Sequence, residues 1–205
     1  RHFESIHVQD ELEGFAPAYG LASAVLLGDL ALVWSNQLLN TSGISTDELR
    51  RVMPIFDEMR VELMAGQFLD IHEQTQKNTD LARSVKIARY KSGKYTIERP
   101  LHMGAVLAGQ ASPALLTALS EYGLPLGEAF QFRDDLLGVF GDPSVTGKPA
   151  GDDLREGKRT ALIAMADAKS TDSMKAESRK YFGKNDIDEK GVAILQEMIV
   201  STGAK

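Results

Sequence analysis

The sequence predicts an all-α protein. Apolar residues recur at helical spacing along most of the chain, cap signatures stand where the periodic stretches begin, and no convincing alternating strand pattern occurs. The 205 residues suit a single domain over 1–205 with a sizeable core. A hydrophobic share of 43% beside 25% charged residues is ordinary globular composition and argues against global disorder.

The elements follow in order. From Pro17 to Leu39 apolar residues are dense, which predicts a largely buried helix. Its longest apolar run, Leu21 to Trp34, is short for bilayer crossing and carries Asp29, so no membrane span is expected. Ser45 and Glu48 stand three apart as a capping box. The stretch they open, with Leu49, Val52, Phe56, Leu63 and Phe68, holds the helical period to about His72. Thr79 or Asp80 caps a further helix running to about Gly93. Ser112-Pro113 is an N-cap and first-turn pair that opens a helix closed by Gly123 and Pro125, and another runs from about Leu126 to Phe140. Gly141 to Thr160, rich in glycine, proline and charges of both signs, reads as a structureless loop. Loops of such length in compact domains tend to be functional. Helical periodicity returns from Ala161 to the end.

The net charge of −6 argues against a nucleic-acid partner bound through a broad basic surface. The chain has no cysteine, which excludes disulfides, zinc–thiolate sites and a cysteine nucleophile and fits a cytoplasmic location. An acidic protein that binds a polyphosphate must offset the repulsion locally. It can cluster lysine and arginine, or bridge carboxylate to phosphate with a divalent cation.

Both devices can be read near the middle of the chain. With Gln131 at zero on a wheel of about 100° per residue, Asp134, Asp135 and Gly138 fall within about 60° of it on one narrow face. Phe132, Leu136, Leu137, Val139 and Phe140 cover the rest of the wheel and read as buried. Adjacent carboxylates repel, and a hard cation such as Mg²⁺ relieves the repulsion through oxygen ligation. An Asp-Asp pair alone is usually a solvated face. Here the wide apolar arc sets the helix inside, its polar strip facing a cavity. The loop that follows, Gly147-Lys148-Pro149-Ala150-Gly151-Asp152-Asp153 and then Glu156-Gly157-Lys158-Arg159-Thr160, sets cations beside glycines, where backbone N–H groups can approach an anion.

Phe130-Gln131-x-x-Asp134-Asp135, Gly147-Lys148-Pro149-x-Gly151-x-Asp153 and Glu156-Gly157-Lys158 resemble the second aspartate-rich region of trans-prenyl diphosphate synthases, in particular the bacterial geranylgeranyl type. Leu27-Gly28-Asp29-Leu30, Gly66-Gln67-x-x-Asp70 and Lys91-Ser92-Gly93-x-Tyr95-Thr96 resemble further family motifs in the family's order. The resemblance implies an isoprenoid-synthase-type helical bundle around a central cavity, usually homodimeric. It also implies Mg²⁺-assisted ionisation of an allylic diphosphate, attack by isopentenyl diphosphate and loss of a proton, giving a geranylgeranyl or similar short-chain product. By the same resemblance Asp134 and Asp135 hold Mg²⁺, while Lys91 and Lys148 contact the allylic diphosphate. Gln131 and Lys91-Ser92 lie near the developing cation, and Lys158 is a further phosphate contact. Gln67, Asp70 and Asp29 rank below Lys91, and the histidines show no metal-ligand spacing.

Two departures bear on this. The family's second motif commonly ends in a third aspartate, where this chain has Gly138. No first aspartate-rich motif is present, so the chain reads as part of a longer protein, starting just downstream of that motif and stopping short at the C-terminus. By itself it is expected to be inactive. A non-catalytic partner subunit of a heteromeric synthase is the alternative reading. The intact Lys91, Gln131, Asp134, Asp135 and Lys148 argue against it.

Overall fold

The computed structural model describes residues 1–76, 78–147, 149–184 and 186–205. Every regular element among them is helical, as the periodicity predicts. The chain divides into two compact units, Arg1–Arg51 and Val52–Lys205.

In the first unit α1 (His2–Gln9) packs on α2 (Ala16–Asn40). His7 is buried between them, its Nε2 3.1 Å from the Glu13 carbonyl and its ring 5.1 Å from that of Tyr19. The expectation of a buried α2 is wrong. Leu21, Leu26 and Leu38 are 70%, 68% and 74% exposed, because α1 covers only the stretch around Gly20. Asp29 is exposed as well, so it needs no buried partner. The expected short span also lengthens, since the helix continues on both sides of Leu21–Trp34. Its 25 residues reach a mean hydropathy of 1.6 over an 18-residue window, enough to cross a membrane by length and composition. Apolar helices of soluble proteins pass the same test. The capping box forms as read: Ser45 N–H donates to Glu48 Oε2 at 2.7 Å and Glu48 N–H to Ser45 Oγ at 3.3 Å, starting α3 (Thr46–Gln74).

The second unit holds most of α3 and two long helical runs. The first is continuous: α4 (Leu81–Ala88), a π-helical segment (Arg89–Glu98) and α5 (Arg99–Leu107). Asp80 caps it, accepting from the Arg83 N–H at 2.8 Å. The expected stop near Gly93 is absent, because Gly93 instead lets two backbones touch. A Cβ on Gly127 of the neighbouring helix would lie 2.4 Å from Gly93 Cα, and one on Gly66 of α3 would lie 2.5 Å from Lys91 N. These close approaches clamp the wide π turns between α3 and that neighbouring helix.

The second run is α6 (Pro113–Phe140), one helix where two were expected. Ser112 caps it through Leu115 N–H at 3.3 Å, as predicted. Gly123 does not end it: the residue is buried, its Cβ position 3.2 Å from Glu98 Cα. Packing along the π-helical segment carries the helix through Pro125 despite the hydrogen bond that proline cannot donate. Of the residues read as buried near its end, Val139 is fully so, Phe132, Leu136 and Phe140 are half-buried, and Leu137 is exposed. The helix meets its neighbours on one side only.

The expected structureless loop contains two short helices, α7 (Pro143–Thr146) and α8 (Asp152–Glu156), with left-handed glycines at 151 and 157 flanking α8. Then come α9 (Ala161–Lys169), α10 (Asp172–Ser178) and α11 (Glu189–Ser201). The core lies here: Val139, Leu154, Leu162, Val192, Leu195 and Ile199 join the end of α6 to α8, α9 and α11. Gln196 of α11 donates to the Val139 carbonyl at 2.6 Å, satisfying an acceptor at the α6 C-terminus.

Candidate active site

A cavity of about 270 Å³ opens between α3, α4, the π-helical segment, α6 and the segment after α8. Of the residues singled out from sequence, Lys91, Ser92, Gln131, Asp134, Asp135 and Lys158 all line it. Lys148 lies outside the described residues. Gln67 and Asp70, ranked lower, line the cavity too, whereas Asp29 belongs to the other unit.

Each side chain is set by its element. The wide π turns place Lys91, Ser92, Tyr95 and Thr96 side by side on the cavity wall. Lys91 Nζ donates to Asp70 Oδ2 at 2.6 Å, across from α3. Ser92 Oγ donates to Gln131 Oε1, and Gln131 Nε2 donates to Asp135 Oδ1 at 2.8 Å. The Gln131 amide is thereby fixed at both ends, its oxygen toward the π-helical segment and its nitrogen one turn down α6. Lys158 Nζ donates to Asp153 Oδ1 at 2.5 Å and lies 3.1 Å from Glu156 Oε2. The segment carrying Lys158 is tied to α4 by Ser84 Oγ, which donates to the Arg159 carbonyl at 2.9 Å. It is tied again by Arg159 Nη1, which donates to Thr79 Oγ1 at 2.9 Å.

The electrostatics are unequal. Asp134 is exposed, while Asp135 is 5% exposed. Burial pushes the Asp135 carboxyl up to about 6. The Gln131 hydrogen bond works against that shift, and the charges of Asp153 and Asp134 add to it. Burial also works against the Lys158 charge, but its bonds to Asp153 and Glu156 outweigh this and raise its pKa. The cavity thus gathers four carboxylates from three helices, Asp70, Asp134, Asp135 and Asp153, against the cations Lys91, Lys158 and Arg159.

Those hard oxygen donors fit Mg²⁺. Among the described residues no three metal-binding side chains stand together as a ready cage. Such a cage is not what Mg²⁺ ordinarily uses: one or two carboxylates suffice, with phosphate oxygens and water completing its shell. The excess negative charge that opposes ionisation of Asp135 is what a divalent cation would relieve. Asp153, Arg159, Thr160, Thr96 and Ser84 line the site without having been assigned a role. For Asp153 a signal existed, since it lies in the quoted Gly-Lys-Pro motif. For Ser84, in the middle of an ordinary helix pattern, none did.

Known proteins agree with this picture. The family model described as Polyprenyl synthetase matches residues 4–199. The geranylfarnesyl diphosphate synthase of Aeropyrum pernix is 35% identical over 170 residues, covering 80% of this chain and 53% of that protein. A geranylgeranyl diphosphate synthase of Mycobacterium tuberculosis is 35% identical over 150 residues, covering 72% of this chain and 41% of that protein. A crystal structure of geranylgeranyl pyrophosphate synthase from Corynebacterium glutamicum, complexed with isoprenyl diphosphate and magnesium, superposes with a TM-score of 0.93. It is 43% identical and covers 100% of this chain and 57% of that one. The chain therefore spans about half the length of these relatives. An all-helical fold, a cavity pairing acidic and basic side chains, and a family match along nearly the whole chain together establish that this chain belongs to the polyprenyl synthetase family.

Proposed function

We propose that this chain binds the diphosphate of an allylic substrate in a prenyltransferase that adds isopentenyl diphosphate, with a geranylgeranyl or similar short-chain product. The observation that carries the reading is the convergence of Lys91, Ser92, Gln131, Asp134, Asp135 and Lys158 on one cavity. Asp134 and Asp135 would hold Mg²⁺, which when bound neutralises diphosphate charge and makes it a better leaving group.

The chain's own residues do the rest. Lys91 and Lys158, with Lys148 by family resemblance, meet the diphosphate oxygens. As the allylic C–O bond breaks, its electron pair leaves with the diphosphate, and fixed positive charge there stabilises the transition state. Gln131, held between Ser92 and Asp135, presents its amide dipole near the carbon that becomes positive. The double bond of isopentenyl diphosphate then forms the new C–C bond, and loss of a proton restores an alkene. We further infer a homodimer, supported by the exposed apolar face of α2, and a cytoplasmic location, supported by the absence of cysteine.

Calorimetry with farnesyl diphosphate tests the site. The chain binds it in a Mg²⁺-dependent manner, and Asp134→Ala and Lys91→Ala each weaken binding by about tenfold or more. Binding indifferent to Mg²⁺, or native affinity in both variants, contradicts the reading. Radiolabelled isopentenyl diphosphate with each allylic primer reads condensation and product length together. A non-catalytic partner subunit would bind diphosphate yet incorporate no label.

A further inference from the structure

Gly138 stands on the polar face of α6, one turn below Asp134 and Asp135, and the structure shows what fills the space its missing side chain leaves. A Cβ built there would lie 2.1 Å from Asp153 Oδ2 and 2.5 Å from Asp153 Cγ. The Asp153 carboxylate is seated directly on the helix backbone, in a socket that only glycine leaves open.

Its two oxygens divide the work. Oδ2 is the one nearest Gly138, while Oδ1 accepts from Lys158 Nζ at 2.5 Å. The backbone joins in, since the Lys158 N–H donates to the Asp153 carbonyl at 3.0 Å. The support beneath is firm. Leu154, the next residue, is fully buried in the core, and its carbonyl accepts from Gly183 N–H at 2.9 Å. Asp153 is therefore held by α6 on one side and α8 on the other, and it holds Lys158 by both main chain and side chain.

We propose that Asp153, seated on Gly138, is a positioning residue that aims Lys158 into the diphosphate cavity, an inference that rests on the function proposed above. It gives the glycine at this position a purpose. A longer side chain at 138 would evict Asp153 and let Lys158 swing away from the phosphate oxygens it is there to meet.

The test is the acetylation rate of individual lysines by acetic anhydride, read by peptide mass spectrometry on the whole chain. Gly138→Ala and Asp153→Asn are each expected to raise labelling of Lys158 by about tenfold, the factor set by losing one charge-assisted hydrogen bond. Lys91, across the same cavity and paired with Asp70, and Lys94, outside it and paired with Glu62, should label at the native rate. Unchanged labelling of Lys158 in both variants overturns the proposal. A parallel rise at Lys91 and Lys94 overturns it too, because the change would then be general loosening. Adding Mg²⁺ with inorganic pyrophosphate should slow labelling of Lys158 in the unaltered chain. Absence of that protection would count against the proposed function alone, leaving the comparison between variants to decide whether Asp153 aims the lysine.

Discussion

Glu62 shows how a charged residue serves the fold away from the cavity. Its side chain is 12% exposed, Lys94 Nζ donates to one oxygen, and Arg99 donates to both at 2.8 Å from Nε and Nη2. Burial alone would raise its pKa, but the Arg99 and Lys94 hydrogen bonds prevail and hold the carboxyl below its usual value. The stabilisation is then present above the ordinary carboxylate range and is lost as pH falls through the depressed folded value. Glu62→Gln should cost about 1–3 kcal/mol near neutral pH, because Lys94 loses its carboxylate partner while Arg99 keeps only Glu58. The difference from native should shrink at acidic pH, as pH falls through that depressed folded value and the native carboxylate protonates too. Urea unfolding at the two pH values measures both; an equal gap at each would contradict the assignment. Single residues also show the limit of sequence reading. Lys91, Gln131 and Asp135 were legible, but the bond from Lys91 to Asp70 joins α3 to the π-helical segment and is a product of the fold.

At the scale of elements, backbone contact decides where helices run. The sequence contains Gly93, Gly123 and Pro125 as apparent stops, and the chain passes through all three as helix. Packing overrides local preference because α6 and the π-helical segment touch along their length, with Gly127 against Gly93 at the point of closest approach. Gly127→Ala should therefore destabilise by about 1–3 kcal/mol despite alanine's better helix propensity, since a Cβ would collide with the Gly93 main chain. It should also weaken Mg²⁺-dependent farnesyl diphosphate binding by opening the Ser92–Gln131 contact. Gly104 in α5 is the control, with nothing within 4 Å of its Cβ position. Gly104→Ala should stabilise by up to about 1 kcal/mol. Thermal unfolding of the two variants distinguishes them, and shifts of the same sign would refute the close-contact account. The caps at Ser45, Asp80 and Ser112 were legible, because a cap is settled within four residues, whereas those at Asp142, Thr160, Thr171 and Asp188 went unread.

At the scale of the whole molecule, the apolar exposure of α2 is the main unbalanced feature. Leu26 and Val33, seven apart on one helical face, are 68% and 59% exposed. Surface of this kind marks an interaction site, and a homodimer is the proposal. Sedimentation should give a dimer for the chain, and Leu26→Lys with Val33→Lys should give a monomer that keeps its diphosphate affinity. A monomeric native chain would overturn the dimer, and binding of that native chain to lipid vesicles would point to a membrane surface instead. The sequence by itself determined the all-α class, the caps, and the shared face of Gln131, Asp134 and Asp135, because each follows from spacing along one stretch of backbone. The tertiary structure alone decided the bare face of α2, the passage of helix through Gly93 and Pro125, and the seating of Asp153 on Gly138. These depend on which distant segments meet, and helical periodicity sets which face a residue occupies without saying what packs against it.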